Sequence, residues 1–227
     1  MANGYVYVMG GNDGVTTVYS SVYYAKLNAD GSTGAWKTNS NSLPVARQRQ
    51  SSVVANGYVY VLGGDDNVAI RSSVYYAKIN SDGSTGTWTT NSNSLPLVRY
   101  YHSSIIANGY MYAIGGYDTD YRSSVYYAKL NADGSLGAWA TNSNSLPAIR
   151  GIHSSIVANG YVYVMGGTND GSASHSTIYY AKLNADGSLG AWATNSNSLP
   201  AIRRSHSSIV VLLSTMLPYL RLTLLVI

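Results

Sequence analysis

Residues 55–64 read ANGYVYVLGG, and near-copies stand at 2–11, 107–116 and 158–167. The alanines that open them, Ala2, Ala55, Ala107 and Ala158, lie 53, 52 and 51 residues apart. A period of about 50 residues marks a repeat architecture, in which each unit is one supersecondary element that buries its faces against its neighbours. Other residues keep the phase: Trp36, Trp88, Trp139 and Trp192 each precede an arginine (Arg47, Arg99, Arg150, Arg203) by 11 residues. Length varies only after the Gly-Gly pair, in NDGVTTVY (12–19), DDNVAIR (65–71), YDTDYR (117–122) and TNDGSASH (168–175). Variation confined to one segment is expected of a surface loop, whose backbone water can solvate.

One copy resolves into four short strands, a to d. QSSVV (50–54) is a β-branched run closed by Ala-Asn-Gly, and YVYVL (58–62) is a second, stopped by two glycines. SSVYYAKIN (72–80) is a third, TWTTN (87–91) a short fourth, and SDGSTG (81–86) between them carries the Asp-Gly of a hairpin turn. SNSLPLVR (92–99) then leads into the next copy. Both faces of these strands carry Val, Ile or Tyr, so each small sheet must be covered on two sides. Sheets standing like blades about an axis meet that need. The expected fold is therefore all-β, a propeller of four four-stranded antiparallel blades occupying 1–210.

Composition agrees with that fold and narrows the chemistry. Phe and Glu are absent, whereas Tyr occurs 22 times, as suits sheet surfaces where a ring packs and its hydroxyl reaches a polar partner. No Cys is present, which excludes disulfides, thiolate metal sites and a cysteine nucleophile, and leaves the compartment open; a secreted or cell-surface setting is compatible. The net charge of +4 is too small to argue for nucleic acid. MANGYVYVMGG at the start has no basic, apolar leader pattern. The segment 211–227, VLLSTMLPYLRLTLLVI, is apolar, contains Pro218 and Arg221 and is out of phase with the repeat. At 17 residues it falls short of the ~20 needed to span a bilayer. It reads either as a segment packed across one end of the propeller or as the product of a shifted reading frame.

The Gly-Gly ending strand b, the Tyr pair of strand c, the Trp of strand d and the LP..R entering strand a resemble a kelch repeat, in all four copies. The resemblance is to the superfamily of galactose oxidase and kelch-like propellers, and implies a kelch-type β-propeller. Kelch propellers usually carry more blades than the four encoded here. Strand b opens the chain at 2–11 and strand a closes its in-phase part at 203–210. Two arrangements stay open: a ring closed by pairing those strands, or an array with an unpaired edge that invites self-association.

Alternating strands place the d–a and b–c loops at one end. That end carries Arg47, Arg49, Arg71, Arg99, Arg122, Arg150, Arg203 and Arg204, all four histidines, and Asp13, Asp65, Asp66, Asp118, Asp120 and Asp170. The opposite end repeats Ala-Asn-Gly and Asp-Gly-Ser with little change. The recurring set is Arg-x-x-His: Arg99/His102, Arg150/His153 and Arg203/His206, with Arg47/Gln50 as the odd member. In kelch domains an arginine here often lines the ligand pocket, so the resemblance implies a ring of guanidiniums suited to carboxylates, phosphates or sulfates. The alternative is that these arginines and histidines tie loops to the blades. The residues between them, Gln48-Arg49, Tyr100-Tyr101, Gly151-Ile152 and Arg204-Ser205, differ in every copy and would shape an asymmetric pocket.

No cofactor is expected. Histidines spread blade by blade need not converge on one ion, and the Asp-Gly-Ser turns lack the ligand pattern of a calcium loop. A copper oxidase of the galactose oxidase kind needs a Tyr–Cys crosslink, which a chain without Cys cannot make. Neither a nucleophile elbow nor a phosphate-cradling loop occurs. The expected function is a module that binds a protein, a peptide or a glycan through the Arg/His/Tyr end, with anionic groups on the ligand. The alternatives are a carbohydrate-active enzyme and a structural repeat of a surface protein.

Overall fold

The computed structural model describes residues 4–210. The apolar segment 211–227, whether a packed tail or the product of a shifted frame, lies outside the described residues. Among the described residues every regular element is a strand. The first sheet holds β1 (Tyr5–Met9), β2 (Val22–Lys26) and β3 (Lys37–Thr38). The second holds β4 (Ser51–Ala55), β5 (Tyr58–Leu62), β6 (Val74–Lys78) and β7 (Thr89–Thr90). The third holds β8 (Ser103–Ala107), β9 (Tyr110–Ile114), β10 (Val125–Lys129) and β11 (Ala140–Thr141), and the fourth β12 (Ser154–Ala158), β13 (Tyr161–Met165), β14 (Ile178–Lys182) and β15 (Ala193–Thr194). Each sheet is an antiparallel meander in chain order. The architecture is an all-β propeller of four blades, each a copy of the repeat.

The register is the same in every blade: Val53 faces Tyr60 and Tyr60 faces Tyr76, as Ile105 faces Tyr112 and Tyr112 faces Tyr127. Three apolar clusters form the core, each shared by consecutive blades. Val22 and Leu43 of the first meet Val59, Val61 and Tyr75 of the second. Tyr60, Leu62 and Val74 of the second meet Met111, Ala113 and Ala128 of the third. Ile105, Tyr112 and Ile114 of the third meet Val162, Val164 and Tyr179 of the fourth. Strands β4, β8 and β12 pack in a row along the axis.

The repeated residues are the clasps between blades. Trp88 Nε1 donates to Asn41 O of the preceding blade at 3.2 Å, Trp139 to Asn93 O at 3.1 Å and Trp192 to Asn144 O at 3.1 Å. Buried Asn39 accepts from the Thr85 amide at 2.9 Å and donates to Thr85 Oγ1 at 2.6 Å. Tyr7 and Tyr112 hydroxyls donate to Gly83 O and Gly187 O in the Asp-Gly-Ser turns of the next blade. A clasp needs a neighbour, which explains why Trp36, with no blade before it, is 48% exposed whereas Trp88 is 7% exposed.

The first sheet has three strands rather than the four expected. Residues 203–210 run beside the fourth blade without forming a strand there or on β1. The axis-facing edge of β1 is thus unpaired among the described residues, and Val8 is 50% exposed where its counterpart Val61 is 1%. Ring closure by these two segments is not seen.

Candidate functional site

The mouth of the propeller is built by the residues that enter each strand a. The backbones of Gln48, Tyr100 and Gly151 pair with Asp65, Tyr117 and Thr168 in the b–c loop of their own blade. Both loop families therefore meet at one end, as the strand order requires. The next residues, Arg49, Tyr101, Ile152 and Ser205, have φ of 55°, 57°, 54° and 55°. Their backbones are linked from blade to blade: Tyr101 N donates to Arg49 O at 3.2 Å, Ile152 N to Tyr101 O at 2.9 Å and Ser205 N to Ile152 O at 3.1 Å. A left-handed conformation costs a residue with a side chain ~1–3 kcal/mol and persists only where the surroundings over-determine it, most often at functional sites. The linked backbone is that determinant, and it gathers four different side chains around the axis.

The side chains there form an arginine–tyrosine cluster. The Arg49 guanidinium lies 5.7 Å from the Tyr100 ring centroid and 5.4 Å from that of Tyr101, and its Nη1 is 3.2 Å from Asp65 Oδ2. Tyr100 meets Tyr101 edge-on at 4.6 Å and Tyr117 at 5.1 Å, and Tyr117 meets Tyr121 at 5.1 Å. A cleft of about 290 Å³ opens beside them, lined by Arg49, Asp65, Asn67, Ile70 and Tyr100. Its wall is locked: Gln48 Nε2 donates to Asp65 Oδ1 at 2.8 Å and to Asn67 Oδ1 at 2.6 Å. Arg204 is exposed and donates to Gly171 O. Arg49, Tyr100 and Arg204 thus stand at the mouth. Tyr117 and Tyr121 join them from the variable loop, where the repeat gives no phase; the pair of tyrosines in YDTDYR was the only signal.

Three arginines of the expected guanidinium ring lie buried between the blades. Arg47, Arg99 and Arg150 are 1%, 0% and 2% exposed, out of reach of a ligand at the mouth. Each is a rivet between blades. The Arg99 backbone is held by the preceding blade, its N–H donating to Arg71 O and its carbonyl accepting from Gly64 N. Its side chain crosses to the following blade, donating to Gly115 O and, at 3.0 Å, to Ser124 Oγ, over the Tyr126 ring at 4.7 Å. Arg47 does the same to Gly63 O, Ser73 and Tyr75, and Arg150 to Thr177 and Tyr179. Burial lowers the pKa of all three, but from a starting value so high that the charge stays. Arg203 has the same backbone bonds to Gly167 and His175 and is exposed, because no blade follows it among the described residues.

His102 and His153 are buried as well, at 6% and 7% exposure. The first glycine of the preceding blade packs on each ring: a Cβ on Gly63 or Gly115 would fall 3.0 Å or 2.9 Å from its Cε1. His153 Nε2 shares a 2.7 Å hydrogen bond with Ser103 Oγ. His206 is half-buried against Gly166, and Gln50 fills the position in the second blade, donating to Met9 O at 2.7 Å. These positions serve the blades, the alternative that the sequence left open. Among the described residues no group of three or more His, Cys, Asp or Glu is placed to hold a metal.

Burial, reinforced by the neighbouring Arg99 and Arg150 charges, pushes the pKa of His102 and His153 down to about 3. Unfolded, each titrates at ~6.5, so between those values the unfolded chain binds more protons and stability is lost as pH is lowered. From pH 7.5 to pH 5 each histidine is expected to remove about 2 kcal/mol. The His102→Gln/His153→Gln variant, which installs the residue found at Gln50, is expected to lose less of its thermal midpoint over that interval. Equal losses in the two proteins would refute the assignment. The carboxylates do not confuse this window: against the effect of burial, hydrogen bonds from Arg122 and from the Thr119 and Asp120 amides hold Asp118 at about 2.

The same carboxylates bear on catalysis. Asp65, Asp66 and Asp118 face Arg49, Arg71 and Arg122 at 3.2, 2.5 and 2.8 Å. Backbone amides of Ala173 and Ser172 lower Asp170 to about 2. A glycosidase acid needs the opposite of what Asp66, Asp118 and Asp170 show, a carboxyl kept protonated near neutral pH.

No family model matches the chain. Kelch domain-containing protein 3 of Rattus norvegicus and of Mus musculus are each 28% identical to it over 177 residues, which cover 72% of this chain and 44% of the relative. The chain thus spans less than half the length of these curated relatives. The solved structure of YjhT superposes with a TM-score of 0.66 at 12% identity, over 86% of this chain and 62% of that one. That likeness is one of fold.

Proposed function

Because the chain is a kelch-like β-propeller, we propose that it is a binding module whose ligand, a protein or peptide, seats at the mouth on Arg49, Tyr100, Tyr101, Tyr117 and Tyr121. The observation that carries this reading is the linked row of left-handed residues. It holds unlike side chains at one point on a rigid frame at a cost in strain, while the rest of each repeat is kept alike. Tyrosine and arginine are residue types that anchor interfaces: tyrosine offers a large contact area with few rotatable bonds and a polar tip, and arginine a planar guanidinium with several donors. A preference for anionic groups has a narrower basis than a ring of guanidiniums would give. It rests on Arg204 and, less, on Arg49, whose 3.2 Å pair with Asp65 is longer than those of Arg71 with Asp66 and of Arg122 with Asp118. An acidic ligand group would compete with Asp65 for Arg49. A glycan would use the same cleft through ring stacking and the Asp65/Asn67 pair.

The test exploits the backbone. Glycine accepts φ near 55° without strain, so Arg49→Gly and Tyr101→Gly remove the side chains and leave the frame intact. Binders selected from an acidic and aromatic peptide display library, together with a panel of neutral and sialylated glycans, are expected to lose at least tenfold in affinity for Arg49→Gly/Tyr101→Gly. The unfolding midpoint is expected to stay or rise. Undiminished binding, or a selected ligand that maps to the Asp-Gly-Ser end, would sink the proposal, and turnover of a glycan would replace it with an enzyme.

A further inference from the structure

We propose that the unpaired edge of β1 is a docking site for residues 207–210 of a second copy of this chain, which enters as the missing inner strand of the first blade. Three observations meet here. In the other blades the position beside strand b is filled by β4, β8 and β12, whose entries read QSSVVA, HSSIIA and HSSIVA. On β1 that position is open among the described residues, a groove of about 300 Å³ lined by Tyr5, Val6, Tyr7 and Met9 on one side and by Val53 and Val54 on the other. Residues 206–210 read HSSIV, the same text, yet form no strand, and Ile209 is 82% exposed.

The fit follows from the register. Ser51 faces Leu62 and Val53 faces Tyr60 in the second blade. Carried one blade back, this sets Ser207 against Met9, Ser208 against Val8, Ile209 against Tyr7 and Val210 against Val6. Ile209 would enter the apolar groove and Val8 would gain cover. The new strand would also continue the axial row of β4, β8 and β12, which is the interface already used between blades. A sheet edge is a ready template for an added strand, since its amides and carbonyls lack partners.

The donor is a second copy because residues 206–210 of the same chain, led in by 203–205 on the fourth blade, pair with no strand of their own chain among the described residues. Gly167 N donates to Arg203 O at 2.9 Å, Arg203 N to His175 O at 3.0 Å and Ser205 N to Ile152 O at 3.1 Å. The contact joins unlike surfaces of the two copies, so it generates rings or chains according to whether the rotation closes.

The experiment is a sedimentation-velocity concentration series on the chain as given, on Ser208→Pro and on Ile209→Lys. Both substitutions lie in a segment that forms no strand, so they spare the blades. The original chain is expected to sediment above monomer mass, increasingly with concentration, and both variants as monomers with an unchanged unfolding midpoint. A free peptide HSSIVA is expected to shift the original chain back toward monomer. A monomer at all concentrations whose β1 amides exchange slowly would mean closure within one chain and overturns the proposal. So would a monomer with fast-exchanging β1 amides, or an oligomer that survives Ser208→Pro.

Discussion

Arg99→Ala is expected to lower the thermal unfolding midpoint by about 6–12 °C, whereas Arg203→Ala, the same residue of the repeat, leaves it within about 2 °C. The difference comes from what each guanidinium meets. Arg99 is fully buried and donates to Gly115 O and Ser124 Oγ. Removing it strands a buried carbonyl, which costs ~1–3 kcal/mol, and leaves a cavity over Tyr126 that adds to the loss. A total of about 3 kcal/mol corresponds to that shift, at roughly 2–4 °C per kcal/mol for a chain of this size. Arg99→Met, which refills part of the volume without hydrogen bonds, is expected to fall between. Arg203 is exposed beside the last blade, where substitutions usually stay within ~0.5 kcal/mol. Differential scanning calorimetry at pH 7.5 decides it. Equal shifts for Arg99 and Arg203 would mean that the arginines do not rivet blades, and lost ligand binding by a folded Arg99→Ala would return that residue to the site.

Gly115→Ala is expected to be at least as damaging, and Gly109→Ala mild, although both glycines belong to the third blade and both have positive φ. Gly109, in the tight turn between β8 and β9, has φ of 77° and nothing within 4 Å of an added Cβ. Alanine there costs only the conformational penalty, about 1 kcal/mol. Gly115, at the end of β9, has φ of 57°, and its Cβ would press into the carbonyl of Arg150 and lie 2.9 Å from His153 Cε1. That carbonyl cannot retreat, because it accepts from Gly116 N at 2.7 Å. Penalty and clash together exceed about 3 kcal/mol, among the larger single-residue effects known. A urea titration of the two variants separates them, and a similar midpoint for both would show that blades three and four do not meet as described.

The sequence made the scaffold legible because the repeat supplies the same message four times. Strand length, the Asn-Gly turns and the Asp-Gly-Ser hairpins are local properties, and each copy writes them again. The end at which Arg49, Tyr100 and Arg204 gather was also readable, since alternating strands fix which loops share a face. What could not be read was depth. Arg47 and Arg49 lie two residues apart in the same loop, yet one is buried between blades and the other stands at the mouth. That difference depends on the left-handed turn at Arg49 and on Ser73 and Tyr75 waiting across the blade, which are contacts between distant parts of the chain. Residues alike in every copy turned out to serve the blade, and the variable ones between them reach the surface. Tyr117 and Tyr121 escaped notice because a loop of varying length has no phase from which to place a side chain.

The central claim is that the four copies stand about one axis and are tied at the mouth by the backbone bonds Tyr101 N to Arg49 O, Ile152 N to Tyr101 O and Ser205 N to Ile152 O. Native-state hydrogen exchange, read amide by amide, addresses it directly. The Tyr101 and Ile152 amides are expected to be protected to the level of β5 and β9, with Ser205, beside the last blade, exchanging faster. Exchange of Tyr101 and Ile152 at the rate of an open loop would contradict the account, since independent hairpins would leave those amides to water.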